Sequence, residues 1–270
     1  FTGTDTLAAV QLLKEHYYCD DELVGGSVPA TEHAVMCAGG KENELETFDR
    51  LLDLYPSGIV SIVSDTWDLW DVVGGILPQL KDKIMARDGK LVIRPDSGDP
   101  VKILCGDDSQ ATYDSAYHGL ITCLWEIFGG TRDENGVKTL DSHIGAIYGY
   151  SITEDRAREI CQRLVVKGFS PTSVVFGIGS YPYQYVTRDT YGFAVKATWA
   201  MVNGEERMLY KDPVTDDGTK RSARGRISIV RGDDDQLRMI DGLNLDQHKA
   251  MANEDLMEQV LCGPKAAQHT

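Results

Sequence analysis

Apolar positions along the chain follow two alternating rhythms. Runs with strand character at 58–65 (GIVSIVSD), 90–98 (KLVIRPDSG), 143–149 (HIGAIYG) and 173–180 (SVVFGIGS) are separated by segments whose apolar residues recur at helical spacing. Each run breaks into polar or Gly-rich residues at its carboxyl end, which predicts βα units around a largely parallel sheet. The clearest helix is 153–167, where Ala157, Ile160, Cys161, Leu164 and Val165 form one stripe, Thr153 suits the N-cap and Gly168 the position just past the end. Further helices are expected at 5–18, 41–54, 66–86 and 109–128. After Arg188 the pattern changes. FAVKATWAMV, NGEE and RMLYKD read as one antiparallel hairpin, and GRISIVRG, DDD and QLRMID as another.

Composition narrows the class. With 42% hydrophobic and 26% charged residues over 270 positions, disorder and fibrous architectures are excluded, and the length suffices for a cleft lined from several segments. Lys and Arg number 27 against 42 Asp and Glu, a formal charge of -15, so the overall field opposes nucleic acid and anionic membrane surfaces. An anionic small ligand then needs a local group of cations or a metal. No apolar stretch approaches a membrane span and nothing at the start resembles a signal peptide, from which a cytoplasmic location is expected. The chain opens on Phe1 in a polar turn, FTGTDT, as a fragment or processed chain does. Six cysteines, Cys19, Cys37, Cys105, Cys123, Cys161 and Cys262, lie scattered without metal-type spacing and are expected to be mostly buried thiols.

Candidate chemistry gathers at the strand ends: Asp65, the segment 94–100 (RPDSGDP), Tyr150 with Ser151, and the GIGS turn at 177–180. Arg94 and Asp96 stand two apart at one terminus, where alternation directs both side chains to one side; they form either a site for phosphate and hydroxyls or a surface ion pair. Gly177 and Gly179 leave backbone N–H groups open to an anion, or simply make a tight turn. Arg188 suits closure on the same anion. His33, beside Glu32, fits acid–base or phosphoryl chemistry with Glu32 orienting the ring, and equally a structural role. Asp5 reads first as a capping carboxylate. The basic run Lys220, Arg221, Arg224, Arg226 is a solvated loop or an anion patch.

Taken in order, GTDT (3–6), SVPATEH (27–33), SIVSDTWD (61–68), IRPDSGDP (93–100), IYG (147–149), FGIGS (176–180), TRDT (187–190) and KDP (211–213) resemble the nicotinamide phosphoribosyltransferases over nearly the whole chain. The resemblance implies a type II phosphoribosyltransferase fold: an irregular (β/α) barrel carrying the active-site strand ends at 1–190, and an antiparallel β-rich portion packed on it at 191–270. It implies a homodimer with the site at the subunit interface, and an N-terminal region, preceding GTDT in the family, that this chain does not contain. The implied reaction moves phosphoribosyl from 5-phosphoribosyl 1-pyrophosphate to nicotinamide, giving nicotinamide mononucleotide and pyrophosphate with Mg²⁺.

Residue by residue, the resemblance makes His33 the histidine phosphorylated by ATP. Arg94 meets diphosphate, Asp96 meets ribose hydroxyls or the metal shell, and Asp65 supports the same metal and ribose region. Gly179, Ser180 and Arg188 hold the 5′-phosphate, Asp5 accepts from the carboxamide, and Ser27, Pro95 and Gly149 complete the substrate site. Tyr150 stands where the family has a ribose-binding aspartate, and Ser180 where vertebrate members have glycine. A nicotinate transferase and a non-catalytic nucleotide-binding fragment are the alternatives; Asp5 separates the first, because a carboxylate there attracts an amide and repels an acid.

Overall fold

In the computed structural model, which describes residues 7–17, 25–110, 114–182, 184–186, 188–193, 195–214 and 222–258, the four apolar runs form one parallel sheet. Strands β1 (Ser57–Val63) and β2 (Asp88–Arg94) pair over their full length. A short antiparallel hairpin, β3 (Gly130–Arg132) and β4 (Lys138–Leu140), precedes β5 (Ile144–Tyr148), and β6 (Val174–Phe176) closes the order β1-β2-β5-β6. Residues 29–31 extend the sheet beyond β1. Ser61 N–H donates to Pro29 O at 2.9 Å, Thr31 N–H to Ser61 O at 3.0 Å, and Val63 N–H to Thr31 Oγ1 at 2.9 Å.

Helices follow from stripes and caps. α1 (Leu7–His16) buries no residue, whereas α2 (His33–Gly39) buries Met36 and Cys37, and α3 (Glu44–Leu54) buries Phe48, Leu51 and Leu52. α4 (Leu69–Asp71), capped by Asp68 to Trp70 N, runs through a π turn at Val72–Ile76 into α5 (Leu77–Met85). α6 (Pro100–Cys105) starts on Asp99, which accepts from Val101 N, with Pro100 at the position where a missing N–H costs nothing. α7 (Ser115–His118) and α8 (Leu120–Phe128) are separated by Gly119 at φ 85°. α9 (Glu154–Val166) has the predicted Thr153 cap on Arg156 N, and Gly168 takes φ 76° beyond its end. Of its expected stripe, Ile160 and Leu164 are buried, while Val165 is 59% exposed: α9 packs mainly on α6, and that contact covers an arc too narrow to reach it.

The tail contains both predicted hairpins, β7 (Trp199–Val202) with β8 (Glu205–Met208), and β9 (Arg226–Arg231) with β10 (Leu237–Leu243), followed by α10 (Leu245–Ala250). A single large core joins β1, β2, β5 and β6 to α3, α5, α6, α8 and α9. A second, small one of Cys37, Trp67 and Leu209 fastens the β7–β8 hairpin and the segment after it to the α/β body, with the Trp67 and Tyr210 rings edge-on at 5.3 Å. Among the described cysteines, Cys37, Cys105 and Cys123 are buried and Cys161 is partly so. No helix among the described residues is long and apolar enough to cross a membrane.

Sequence expectations for the elements and the basic run need correction. The helix expected at 66–86 starts only at Leu69, because Asp68 in extended conformation caps it. The strand expected at 173–180 is confined to Val174–Phe176, after a 3-10 turn at Pro171–Ser173. The basic run is not a free patch where it is described: Arg226 pairs with Glu206 at 3.0 Å and lies 4.1 Å over the Trp199 ring, and Arg224 lies over Tyr210.

Candidate active site

The carboxyl ends of β1 and β2 are tied together by one buried carboxylate. Asp65, fully shielded from solvent, accepts from Asp96 N–H at 2.8 Å and Ser97 Oγ–H at 2.5 Å on Oδ2, and meets His33 Nε2 at 3.3 Å on Oδ1. Burial pushes this carboxyl up, but the bonds from His33, Ser97 and the Asp96 backbone outweigh it and hold the group below the usual carboxylate range. An ionised carboxylate only accepts, so His33 Nε2 carries a proton toward it, and of the two neutral tautomers this selects the one with its lone pair on Nδ1. The residue orienting His33 is therefore Asp65. Glu32, the expected partner, turns outward with its side chain 79% exposed, 3.9 Å from Arg94 Nη2.

Ser97, also fully buried, is held in turn from β5. Tyr148 Oη–H lies 2.7 Å from Ser97 O and 3.0 Å from Gly98 O, so the last side chain of that strand clasps the 97–98 backbone. Arg94 donates to Thr31 O, linking β2 to the segment that leads into α2. Because β2 ends at Arg94, alternation does not extend to Asp96: Arg94 turns toward Thr31 and Glu32, and Asp96 toward a cleft.

That cleft, about 300 Å³, has His33, Asp96 and Cys37 on one wall and Lys196, Tyr210 and Lys211 on the other. The second wall is fixed to the first by backbone bonds from Asp212 N–H to Thr66 O at 3.2 Å and Val214 N–H to Trp67 O at 3.0 Å, and by the Cys37 thiol, which donates to Tyr210 O at 2.7 Å. Burial raises that thiol to about 11, so it is a neutral donor and no nucleophile. Two lysines thus line the cleft together with a histidine and a carboxylate, the kind of local cation pair that the -15 charge requires of an anion site. Lys196 and Lys211 were not singled out from the sequence; only the KDP motif marks the second.

The other sequence candidates divide. Gly177 N–H donates to Tyr148 O at 2.9 Å, and a Cβ on Gly177 would come within 2.9 Å of Gly149 Cα, so these glycines permit a close backbone approach between two strand ends. Gly179 faces open space and Ser180 is half-buried, its carbonyl accepting from Gln184 N. Tyr150 packs against the main core. Arg188 opens a 3-10 turn, Arg188–Tyr191. Pro95 is buried beneath the β2 loop and Ser27 is exposed on the strand-like entry to α2. Ser27, Arg94, Tyr150, Gly179 and Ser180 are not among the residues lining the His33 cleft. Asp5, Lys220 and Arg221 lie outside the described residues.

For a divalent cation, Asp65 has both oxygens engaged inward, and the described residues hold no group of three His, Cys, Asp or Glu side chains that could take a metal ion. Asp96 at the cleft fits the arrangement in which Mg²⁺ keeps one or two carboxylates and takes its remaining ligands from phosphates and water.

Residues 1–264 match the model of the nicotinate phosphoribosyltransferase (NAPRTase) family. The chain is 56% identical over 241 residues to a nicotinamide phosphoribosyltransferase of Acinetobacter baylyi, covering 87% of the chain and 48% of that protein. It is 40% identical over 216 residues to the enzyme of that name from Mycoplasma pneumoniae, covering 78% and 48%, and 35% identical over 234 residues to that from Xanthomonas campestris, covering 86% and 46%. The chain thus spans about half the length of the relatives it matches.

Proposed function

Because the chain belongs to the nicotinate phosphoribosyltransferase family, we propose that it serves phosphoribosyl transfer from 5-phosphoribosyl 1-pyrophosphate to nicotinamide, giving nicotinamide mononucleotide and pyrophosphate for NAD biosynthesis. The observation that carries this reading is the cleft in which His33, set by Asp65, and Asp96 face Lys196 and Lys211. Bond breaking at the ribose C1 builds positive charge on the sugar while a polyanion departs, so cations on the leaving group and a carboxylate near the sugar both favour the transition state. Lys196 and Lys211 offset the pyrophosphate charge, and Asp96 accepts from ribose hydroxyls. When bound, Mg²⁺ adds further neutralisation of the leaving group there. Arg94, Pro95, Gly149, Tyr150, Gly179, Ser180 and Arg188 extend the donor site along the strand ends, with Ser27 and Asp5 toward the base.

His33 is read as the acceptor of the terminal phosphoryl group of ATP. With Nε2 protonated toward Asp65, Nδ1 attacks phosphorus as the bond to the ADP oxygen breaks; no proton leaves Nδ1, and the cationic ring that results is balanced by the Asp65 carboxylate. The relatives' name favours the amide over the acid as substrate, and Asp5 is the residue to which that choice is assigned. The open sheet is read as an arc of the irregular barrel formed by 1–190, with 191–270 packed on it, in a cytoplasmic homodimer.

The test is mononucleotide formation from nicotinamide and from nicotinate, with and without ATP. The parent should prefer nicotinamide; Asp96→Ala should lose about 100-fold in kcat/KM, and His33→Ala should lose only the stimulation by ATP. A parent that binds the donor yet converts neither base would sink the reading in favour of a binding fragment.

A further inference from the structure

Tyr148 is an ordinary core aromatic by its ring and an unusual one by its hydroxyl. The ring is fully buried at the end of β5, where a phenylalanine would fill the same space. The hydroxyl reaches out of that core to two consecutive carbonyls, Ser97 O at 2.7 Å and Gly98 O at 3.0 Å, on the loop that follows β2. Burial first, then the nearby carboxylates of Asp65, Asp96 and Asp99, raises this phenol well above its ordinary range, so it is a permanent donor. The residue whose carbonyl it holds, Ser97, donates its own hydroxyl to Asp65 Oδ2, as does the preceding Asp96 N–H, and both bonds leave Oδ1 turned to His33.

We propose that Tyr148 is a positioning residue: by clasping the Ser97–Gly98 backbone it fixes the two donors that orient the Asp65 carboxylate, and through Asp65 it selects the Nε2–H form of His33. The inference rests on reading His33 as the phosphoryl acceptor for its kinetic consequence, and on geometry alone for its effect on the ring. Gly98 sits at φ 81°, so the clasped turn has a backbone that relaxes readily once its carbonyls lose their donor. The two donors then drift from Oδ2, the carboxylate rotates, and the imidazole is free to exchange tautomers. Removing such an outer partner typically costs about 10- to 100-fold in activity without a change in the groups that touch substrate.

The experiment compares the parent with Tyr148→Phe, which keeps the ring and removes one oxygen. Ring ¹⁵N shifts of His33 report the tautomer, and radiolabelled ATP reports phosphate capture. The expected result is a single Nε2–H signal in the parent and a tautomer mixture in Tyr148→Phe. Phosphate capture should slow about tenfold at saturating ATP with KM unchanged, the melting transition remaining cooperative. Unchanged ¹⁵N shifts in a folded Tyr148→Phe would overturn the proposal, whatever its rates. If neither protein captures phosphate, the function assigned to His33 fails, and the ¹⁵N comparison still decides the role of Tyr148. Should Tyr148→Phe not fold, Ser97→Ala removes the link one bond closer to Asp65; the same tautomer mixture supports the chain of contacts, and a parent-like signal breaks it.

Discussion

Glu44, the first residue of α3, is 7% exposed, and its Oε1 has no hydrogen-bond partner. Burial, reinforced by Asp68, Asp71 and Asp65 and opposed by Lys41, pushes its carboxyl up to about 7. The unfolded chain ionises it near 4.5, so the folded state is penalised as pH rises from that value through 7, by up to on the order of 3 kcal/mol. Glu44→Gln should therefore be more stable than the parent at pH 8, with the difference fading below about pH 5; urea titrations at the two pH values check this. Asp65 has the opposite sign: its depressed value adds stability that is lost only as pH falls through it. At this scale the sequence marked His33, Asp65 and Asp96 as candidates but not their pairing. His33 and Asp65 are 32 positions apart and meet only because 29–31 aligns beside β1, whereas Glu32, adjacent in sequence, leaves α2 in another direction.

The elements that were legible are those with enough residues to show a period. β1, β2, β5 and β6 stand out as apolar runs, and α9 as a stripe with its cap. α2 and α6, seven and six residues long, span too few turns for a period to appear, and β3 and β4 carry three residues each, mostly polar. Both short helices matter to the site, one presenting His33 and the other following the Asp96 loop. The helix expected at 109–128 is divided at Gly119 instead of running through. Gly119 adopts φ 85°, and a Cβ there would lie 2.2 Å from Gly106 N, while Gly106 at φ 98° would meet Tyr117 O at the same distance. Gly119→Ala must both adopt a left-handed backbone and push two loops apart, at a cost of about 2–3 kcal/mol. A fall in the denaturation midpoint, with the His33 ¹⁵N signal retained, is the expected outcome; an unshifted midpoint would show that the two loops are not packed as described.

For the whole molecule, the large core and the small one divide the labour. The main core stabilises the sheet, while the small one of Cys37, Trp67 and Leu209 joins the segment after β8 to α2 and the loop after β1, beside the backbone bonds of Asp212 and Val214. Truncating Leu209, which is 5% exposed, should cost about 2–4 kcal/mol, felt mainly by the wall carrying Lys196 and Lys211. Leu209→Ala should be cut first within 195–214 under limited proteolysis, and donor affinity should fall while the Asp65–His33 pair persists; uniform cleavage across the chain would contradict a separable wall. On the ribosome, β1, β2, β5 and β6 emerge in the order in which they lie side by side, so each finds its neighbour already made. Residues 29–31 wait only for β1, and Tyr148 completes the clasp on a loop synthesised some fifty positions earlier. Every residue of the His33 wall thus precedes both lysines of the facing wall along the chain, so a chain stopped after β6 would carry one side of the cleft and none of the other.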